Sequence, residues 1–240
     1  MTLGTPAKLN AETLIELAER ATQLPAGQWS LALLQAAFPQ AARDDLLDLP
    51  VGTRDHLIMA VRARLVAAPL RSEPECTDCG GRFELTLMPE DLGLGPDAGQ
   101  TDPGARAVCI EGQALMLRPV RLSDLLAVET MSDIPQAAQL LAKRVCDGDM
   151  SGLPLEALET ALEELDPAAD IWLNTQCPEC GAEHSLAFDP VYYTAQELRQ
   201  KAQQILRDVV DIARVFHWSE HDILALPDSR RAYYVAEALT

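Results

Sequence analysis

Glu75-Cys76-Thr77-Asp78-Cys79-Gly80 and, 101 positions further on, Gln176-Cys177-Pro178-Glu179-Cys180-Gly181 are the stretches whose reading decides the fold. Each sets two cysteines three positions apart with a glycine behind the second. Each follows residues of strand character, Leu70-Arg71-Ser72-Glu73 in one copy and Ile171-Trp172-Leu173-Asn174 in the other. In the first copy Arg82-Phe83-Glu84-Leu85-Thr86-Leu87 then alternates before Pro89, and in the second a matching run passes through Leu186 before Pro190. Alternation at period two is what a strand with one covered face requires. The chain therefore holds the same hairpin twice, each with a CxxCG tip.

A CxxC turn offers two sulfurs from one tight loop, and the glycine behind it relieves the backbone. Two such turns complete a tetrahedral four-thiolate shell, with metal–sulfur bonds of about 2.3 Å. Cys76, Cys79, Cys177 and Cys180 are the candidate metal ligands, with zinc as the expected metal and iron as the alternative for the same donors. Nearly a hundred residues separate Cys79 from Cys177, whereas zinc ribbons commonly have about 15–20, so the segment between the hairpins reads as an insertion. A closed four-sulfur shell leaves no position for a substrate, which predicts a structural role and no enzyme. Joining residues so far apart would also stabilise the fold by closing a long loop.

Other readings compete. A thioredoxin-like dithiol places CxxC at a helix N-terminus after a strand, whereas here a strand follows each pair. Paired thiols whose metal has been lost are a further alternative. His184, four residues after Cys180, is within reach of the shell, but it aligns with Phe83 of the other copy and reads as a strand residue. Cys109 and Cys146 sit in the apolar contexts Ala107-Val108-Cys109-Ile110 and Arg144-Val145-Cys146, and are assigned to the core. No nucleophile arrangement, glycine-rich phosphate loop or HExxH motif occurs. Glu156, Glu159, Glu163 and Glu164 read as a solvated helix face.

Outside the hairpins the pattern is helical. Leu14, Ile15, Leu17 and Ala18 form one apolar stripe, Trp29, Leu33, Leu34 and Ala37 a second. After a turn at Pro50-Val51-Gly52, Leu57, Ile58, Val61 and Leu65 form a third. The stretch from Gly93 to Gly104 reads as a loop. Residues 107–110 and 114–118 flank a Glu111-Gly112 turn and are expected to add a hairpin to the same sheet. Ser123 is the expected cap of a helix bearing Leu125, Leu126 and Val128. Helices are expected over 134–145 and 155–165, and a long one over 194–216. Ser219 and Asp228 are the expected caps of two last helices. The division is an N-terminal helical subdomain over 1–68, the first knuckle hairpin and a second hairpin over 69–120, and a helical insertion over 121–168. The second knuckle hairpin then occupies 169–190 and C-terminal helices occupy 191–240. The fold class is α+β, mostly helical, with a small antiparallel sheet built from the two CxxCG hairpins.

At 240 residues the chain is long enough to bury a sizeable core without cysteine staples. Apolar runs such as Leu31-Ala32-Leu33-Leu34 are far below the roughly 20 residues of a membrane-spanning helix. Met1 to Ala11 lack the basic flank and apolar run of a secretory signal, so a reducing, cytoplasmic setting is expected, where structural disulfides are rare. A net charge of -18, from 37 acidic and 19 basic residues, disfavours nucleic acid and favours solubility or attraction to a basic protein.

Several motifs carry a resemblance. They are the two CxxCG turns, Leu115-Met116-Leu117-Arg118-Pro119-Val120 running into Ser123-Asp124-Leu125, then Glu197, Val209 and Ala213. Phe216-His217-Trp218-Ser219-Glu220-His221-Asp222-Ile223-Leu224-Ala225-Leu226 and Arg230-Arg231-Ala232-Tyr233 complete the set. From about Leu14 to the C-terminus the chain resembles proteins encoded in phage-tail-like contractile injection gene clusters, similar to the T-even-phage-type baseplate hub assembly chaperones. Phe216-His217-Trp218 stands where a tyrosine-glycine-tryptophan run is expected. The resemblance implies a protein that binds baseplate hub or spike components, either leaving or staying as a minor part of the particle, with no catalytic residues. Trp218, Tyr233 and Tyr234 are the candidate contact residues, since aromatic side chains favour interface cores. The knuckles by themselves also suit a stand-alone zinc-ribbon regulator of another cytoplasmic protein.

Overall fold

The computed structural model describes residues 3–66, 68–94, 102–150 and 152–239, and is a mixed helix-and-sheet fold dominated by helices. Four helices come first: α1 (Ala11–Arg20), α2 (Ala26–Ala37), α3 (Arg43–Leu47) and α4 (Val51–Leu65). Asn10 starts α1 by accepting the Thr13 N–H at 2.8 Å. Apolar residues surround α2, and Trp29, Leu31, Ala32, Leu33, Leu34 and Ala37 are all buried. It is therefore the central helix of the main core. Trp29 donates its indole N–H to the Leu17 carbonyl at 2.9 Å. The expected turn at Pro50-Val51-Gly52 is instead the start of α4, with Pro50 at the N-cap.

The first knuckle hairpin pairs β1 (Leu70–Ser72) with β2 (Leu85–Leu87). Its return strand is shorter than the alternation predicts, because Arg82 makes only an isolated bridge to Glu75. Then come β3 (Arg106–Ile110), β4 (Gln113–Leu117), α5 (Leu122–Val128), α6 (Ile134–Val145), β5 (Cys146–Asp147) and α7 (Leu155–Leu165). The second knuckle hairpin is β6 (Ile171–Gln176) with β7 (Glu183–Phe188). Last are α8 (Pro190–Phe216), α9 (Glu220–Leu224) and α10 (Asp228–Ala238). The loop reading of Gly93–Gly104 falls largely on 95–101, outside the described residues.

Instead of one sheet, the described strands form three. The hairpin β3–β4 does not join the knuckles, because its free edge takes β5 from the end of α6, with Leu117 opposite Cys146. Its inner face, Ile110, Leu115 and Leu117, closes on Ala142, Leu158 and Leu165 in a core of its own. The same alternation that buries Ile110 turns Cys109 outward, so of the two cysteines assigned to the core Cys109 is exposed and Cys146 is buried.

Ser123 does not cap α5. Arg121 holds the N-cap position, and Asp124 accepts its N–H at 3.0 Å. Asp124 is fully buried and also takes both ends of the Arg118 guanidinium, at 2.6 and 3.0 Å, and Arg144 Nε at 2.7 Å. One carboxylate thus joins β4, α5 and α6. The long helix α8 begins at Pro190, earlier than its periodicity suggests, because Asp189 accepts the N–H groups of Val191 and Tyr192. Ser219 caps α9 as expected, whereas Asp228 is the first residue of α10 behind Pro227.

What positions the two knuckles is α8. Val191, Ala195, Leu198, Ala202 and Ile205 lie on one face of it and pack into the main core. Glu197 receives Arg62 of α4 in a bidentate pair at 2.6 and 2.8 Å, with Arg62 only 2% exposed. The Tyr193 hydroxyl accepts the Arg71 N–H at 2.6 Å, tying β1 to the head of α8. Leu70, Leu87, Ile171 and Phe188, one from each strand of the two knuckles, share a cluster with Met59. The bases of both hairpins are therefore held together, and their tips point the same way.

Candidate metal centre

Both CxxCG turns are built by the same two backbone hydrogen bonds. In the first, Gly80 N–H donates to the Cys76 carbonyl at 2.9 Å and Cys76 N–H to the Gly81 carbonyl at 2.8 Å. In the second, Gly181 N–H donates to Cys177 and Cys177 N–H to Ala182, at 2.9 and 2.8 Å. Gly80 and Gly181 sit at φ 71° and 77°, the left-handed region where a Cβ is strained, so the glycine behind each pair is a conformational need.

The turns face each other. Cys76 Sγ lies 3.6 Å from Cys180 Sγ, and Cys79 Sγ lies 3.8 Å from Cys177 Sγ. All four sulfurs lie within 4.8 Å of one another. A tetrahedron with metal–sulfur bonds of about 2.3 Å has edges of about 3.8 Å. A disulfide needs its sulfurs at about 2.05 Å, and all four cysteines are free. Each turn contributes one buried sulfur, Cys76 and Cys177 respectively, and one exposed sulfur, Cys79 and Cys180. Phe83 and Ala182 pack against the buried pair. The donor set, the edge lengths and the repeated turn geometry all fit zinc.

Local dipoles set the acidity of the thiols apart. The backbone N–H of Cys180 and then that of Glu179 face the Cys177 sulfur and, with thiol donors from Cys180 and Cys76, hold it down to about 7. Cys79 moves the other way. The Gly81 N–H by itself would lower it, but thiol–thiol hydrogen bonding with Cys76, Cys180 and Cys177, with desolvation added, pushes it up to about 12. Cys177 is thereby biased toward the thiolate form that a cation requires of its ligand.

His184 is on β7 opposite Thr175, the strand position its alignment with Phe83 predicts. Its Nε2 is also 3.2 Å from Cys76 Sγ, and its ring centroid is 6.5 Å from that of Phe83. Cys76, Asp78 and His184 form a second group of close donors, but it shares Cys76 with the four-cysteine set and offers only three atoms. His184 is therefore placed as a hydrogen-bonding neighbour of one sulfur. The sequence signal for it was its position four residues after Cys180.

Trp218, Tyr233 and Tyr234 lie elsewhere, at the far end of α8. Tyr234 meets Trp218 at 4.8 Å, Phe216 at 5.5 Å and Tyr233 at 5.6 Å between ring centroids, in edge-on contacts. It packs onto Val209, Ile212 and Ile223. Tyr233 is 59% exposed and Trp218 is 37% exposed. The three residues are thus brought together, with Tyr234 inside and the other two outward. Beside them His217 ends α8 at φ 59°, the left-handed conformation a glycine adopts at a helix C-terminus. A histidine in that conformation costs about 1 kcal/mol relative to a glycine.

No helix among the described residues is long and apolar enough to cross a membrane. No protein-family model, no curated protein and no solved structure matches this chain.

Proposed function

We propose that this chain is a non-enzymatic, zinc-stabilised assembly chaperone or adaptor that binds a hub or spike protein in the baseplate of a contractile, phage-tail-like injection system. The observation that carries the structural half is the convergence of four free thiols within 4.8 Å of one another, with cross-turn pairs at 3.6 and 3.8 Å, from two turns of identical backbone pattern. Zinc bound there supplies a cross-link and no open coordination position. Cys76 and Cys177 hold it from the buried side, Cys79 and Cys180 from the solvent side, and His184 hydrogen-bonds one sulfur. The binding half rests on the motif resemblance, and the outward Trp218 and Tyr233 support it as a surface able to desolvate against a partner.

The test is purification of the tagged chain from cells assembling such a particle, with elemental analysis and identification of bound proteins. One zinc per chain and capture of hub or spike components are expected. Metal-free protein would sink the structural half. A free monomer in an assembling lysate would sink the binding half, and capture of an unrelated cytoplasmic protein would favour a stand-alone zinc-ribbon regulator.

A further inference from the structure

Between the start of α1 and the α9–α10 turn, the surface opens into a cleft of about 690 Å³, remote in the fold from the sulfur tips. Its floor is apolar, with Leu9 and Ile15 on one side and Leu224 and Leu226 on the other. Leu9 is buried in the main core and Ile15 and Leu224 pack against it, so the floor is part of a rigid scaffold. Its rim is acidic. Glu12 and Glu16 lie one turn apart on the same face of α1, and Glu220 begins α9 opposite them; all three are exposed. Lys8 supplies the one Lys or Arg among the described lining residues, and Asp228 at 2.9 Å engages it at the end of the cleft. The carboxylates of Glu12, Glu16 and Glu220 have no cation partner among the described residues.

We infer that this cleft receives a cationic amphipathic helix of a partner protein. Apolar side chains at i, i+3 and i+4 of such a helix stand about 5–6 Å apart on one face, which suits two facing apolar walls. Lys or Arg flanking that face neutralises the three carboxylates as they lose water. An anionic ligand meets repulsion from the rim and from the chain's net charge of -18. The inference stands apart from the metal and from the tail-assembly reading, and fails or holds independently of them.

The experiment titrates the full chain into a fluorescein-labelled synthetic peptide of leucine and lysine with helical amphipathic spacing, at about 0.15 M salt. Comparators are a scrambled peptide of the same composition and a leucine–glutamate peptide. The test variants are Glu12→Lys with Glu16→Lys, the milder Glu12→Gln with Glu16→Gln, and the uncharged Leu226→Ser. Glu159→Lys with Glu163→Lys, on the exposed face of α7, is the control that changes net charge equally. Far-UV circular dichroism and thermal unfolding establish that each variant folds. The amphipathic cationic peptide is expected to bind about tenfold or more tighter than either comparator, and the α1 lysine variant to lose about tenfold. The glutamine variant and Leu226→Ser are each expected to lose several-fold, and the α7 variant to stay within about twofold. Equal loss in both lysine variants, equal binding of the scrambled peptide, or no binding would overturn the proposal. So would a solution dimer that Glu12→Lys with Glu16→Lys takes apart, since a second copy would then fill the cleft.

Discussion

Cys76 Sγ and Cys180 Sγ stand 3.6 Å apart although 104 positions of chain separate them. Holding them on one cation removes the freedom of a very long loop from the unfolded chain. By the chain-entropy rule for cross-links, closing about 100 residues is worth about 4–5 kcal/mol. Stripping zinc with a chelator is therefore expected to lower unfolding free energy by about 4 kcal/mol, and Cys180→Ser by a similar amount. Denaturant titrations before and after chelation check this; an unmoved midpoint would show that the sulfurs do not act as a staple.

Asp124 gives a pH dependence. Burial alone would raise its carboxyl, but Arg118, the Arg121 N–H and Arg144 outweigh burial and hold it below the usual carboxylate value. Unfolded, the same group protonates near pH 3.9. Between the two values the unfolded chain binds more protons, so the stabilisation is complete above about pH 4 and fades as pH falls through the folded value. Asp124→Asn is expected to cost about 2 kcal/mol at pH 7, less than a fully dry pair because Arg118 and Arg144 keep partial access to water. Urea unfolding from pH 7 down to about 3 should show the gap to the unaltered protein narrowing below about pH 4; a constant gap would contradict the pairing.

His184 differs from its counterpart Phe83, and that difference is open to exchange. His184→Phe removes the imidazole 3.2 Å from Cys76 Sγ while keeping an aromatic ring of similar shape on β7. Metal affinity is expected to drop roughly tenfold, as it does when a ligand loses its hydrogen-bonding neighbour. Competition with a chromophoric chelator measures it, and the far-UV spectrum of the zinc-loaded form should not change. An unaltered affinity would leave His184 as a strand residue only.

Tyr233 and Tyr234 should separate binding from stability. Tyr234 has three aromatic neighbours and the small core of Val209, Ile212 and Ile223 beneath it, so Tyr234→Ala is expected to destabilise by about 3 kcal/mol. Tyr233→Ala, on the solvent side, should stay within about 0.5 kcal/mol yet, on the proposed function, weaken capture of a hub or spike protein. Thermal unfolding and pull-down on the same preparations decide it. Loss of capture by neither Tyr233→Ala nor Trp218→Ala would move the contact surface elsewhere.

The paired knuckles are legible in the sequence because each is a local pattern, and duplication lets one copy check the other. Strand partnership is not local. Nothing in Cys146-Asp147 signals that it lies against Met116-Leu117, so the hairpin beside the knuckles belongs to a separate sheet. Cys109 illustrates the limit of composition: its neighbours Val108 and Ile110 are apolar, and the period of two that points them inward is what turns the thiol out. The Arg118 and Asp124 motif is visible as residues, while its meaning requires Arg144, 20 positions later, to arrive in space. His184 is likewise readable as a strand residue but not as a neighbour of Cys76, 108 positions away.

The convergence of the two turns makes everything from Gly80 to Gln176 a ring gathered at its neck. A single backbone cut inside that ring yields two polypeptides and still one particle, since the two sides also share the main core and the Arg62–Glu197 pair. Continuity of shape then outlasts continuity of chain, because Val191, Ala195 and Leu198 of α8 keep their seats in the main core and Glu197 keeps Arg62 on whichever side of the cut each lies.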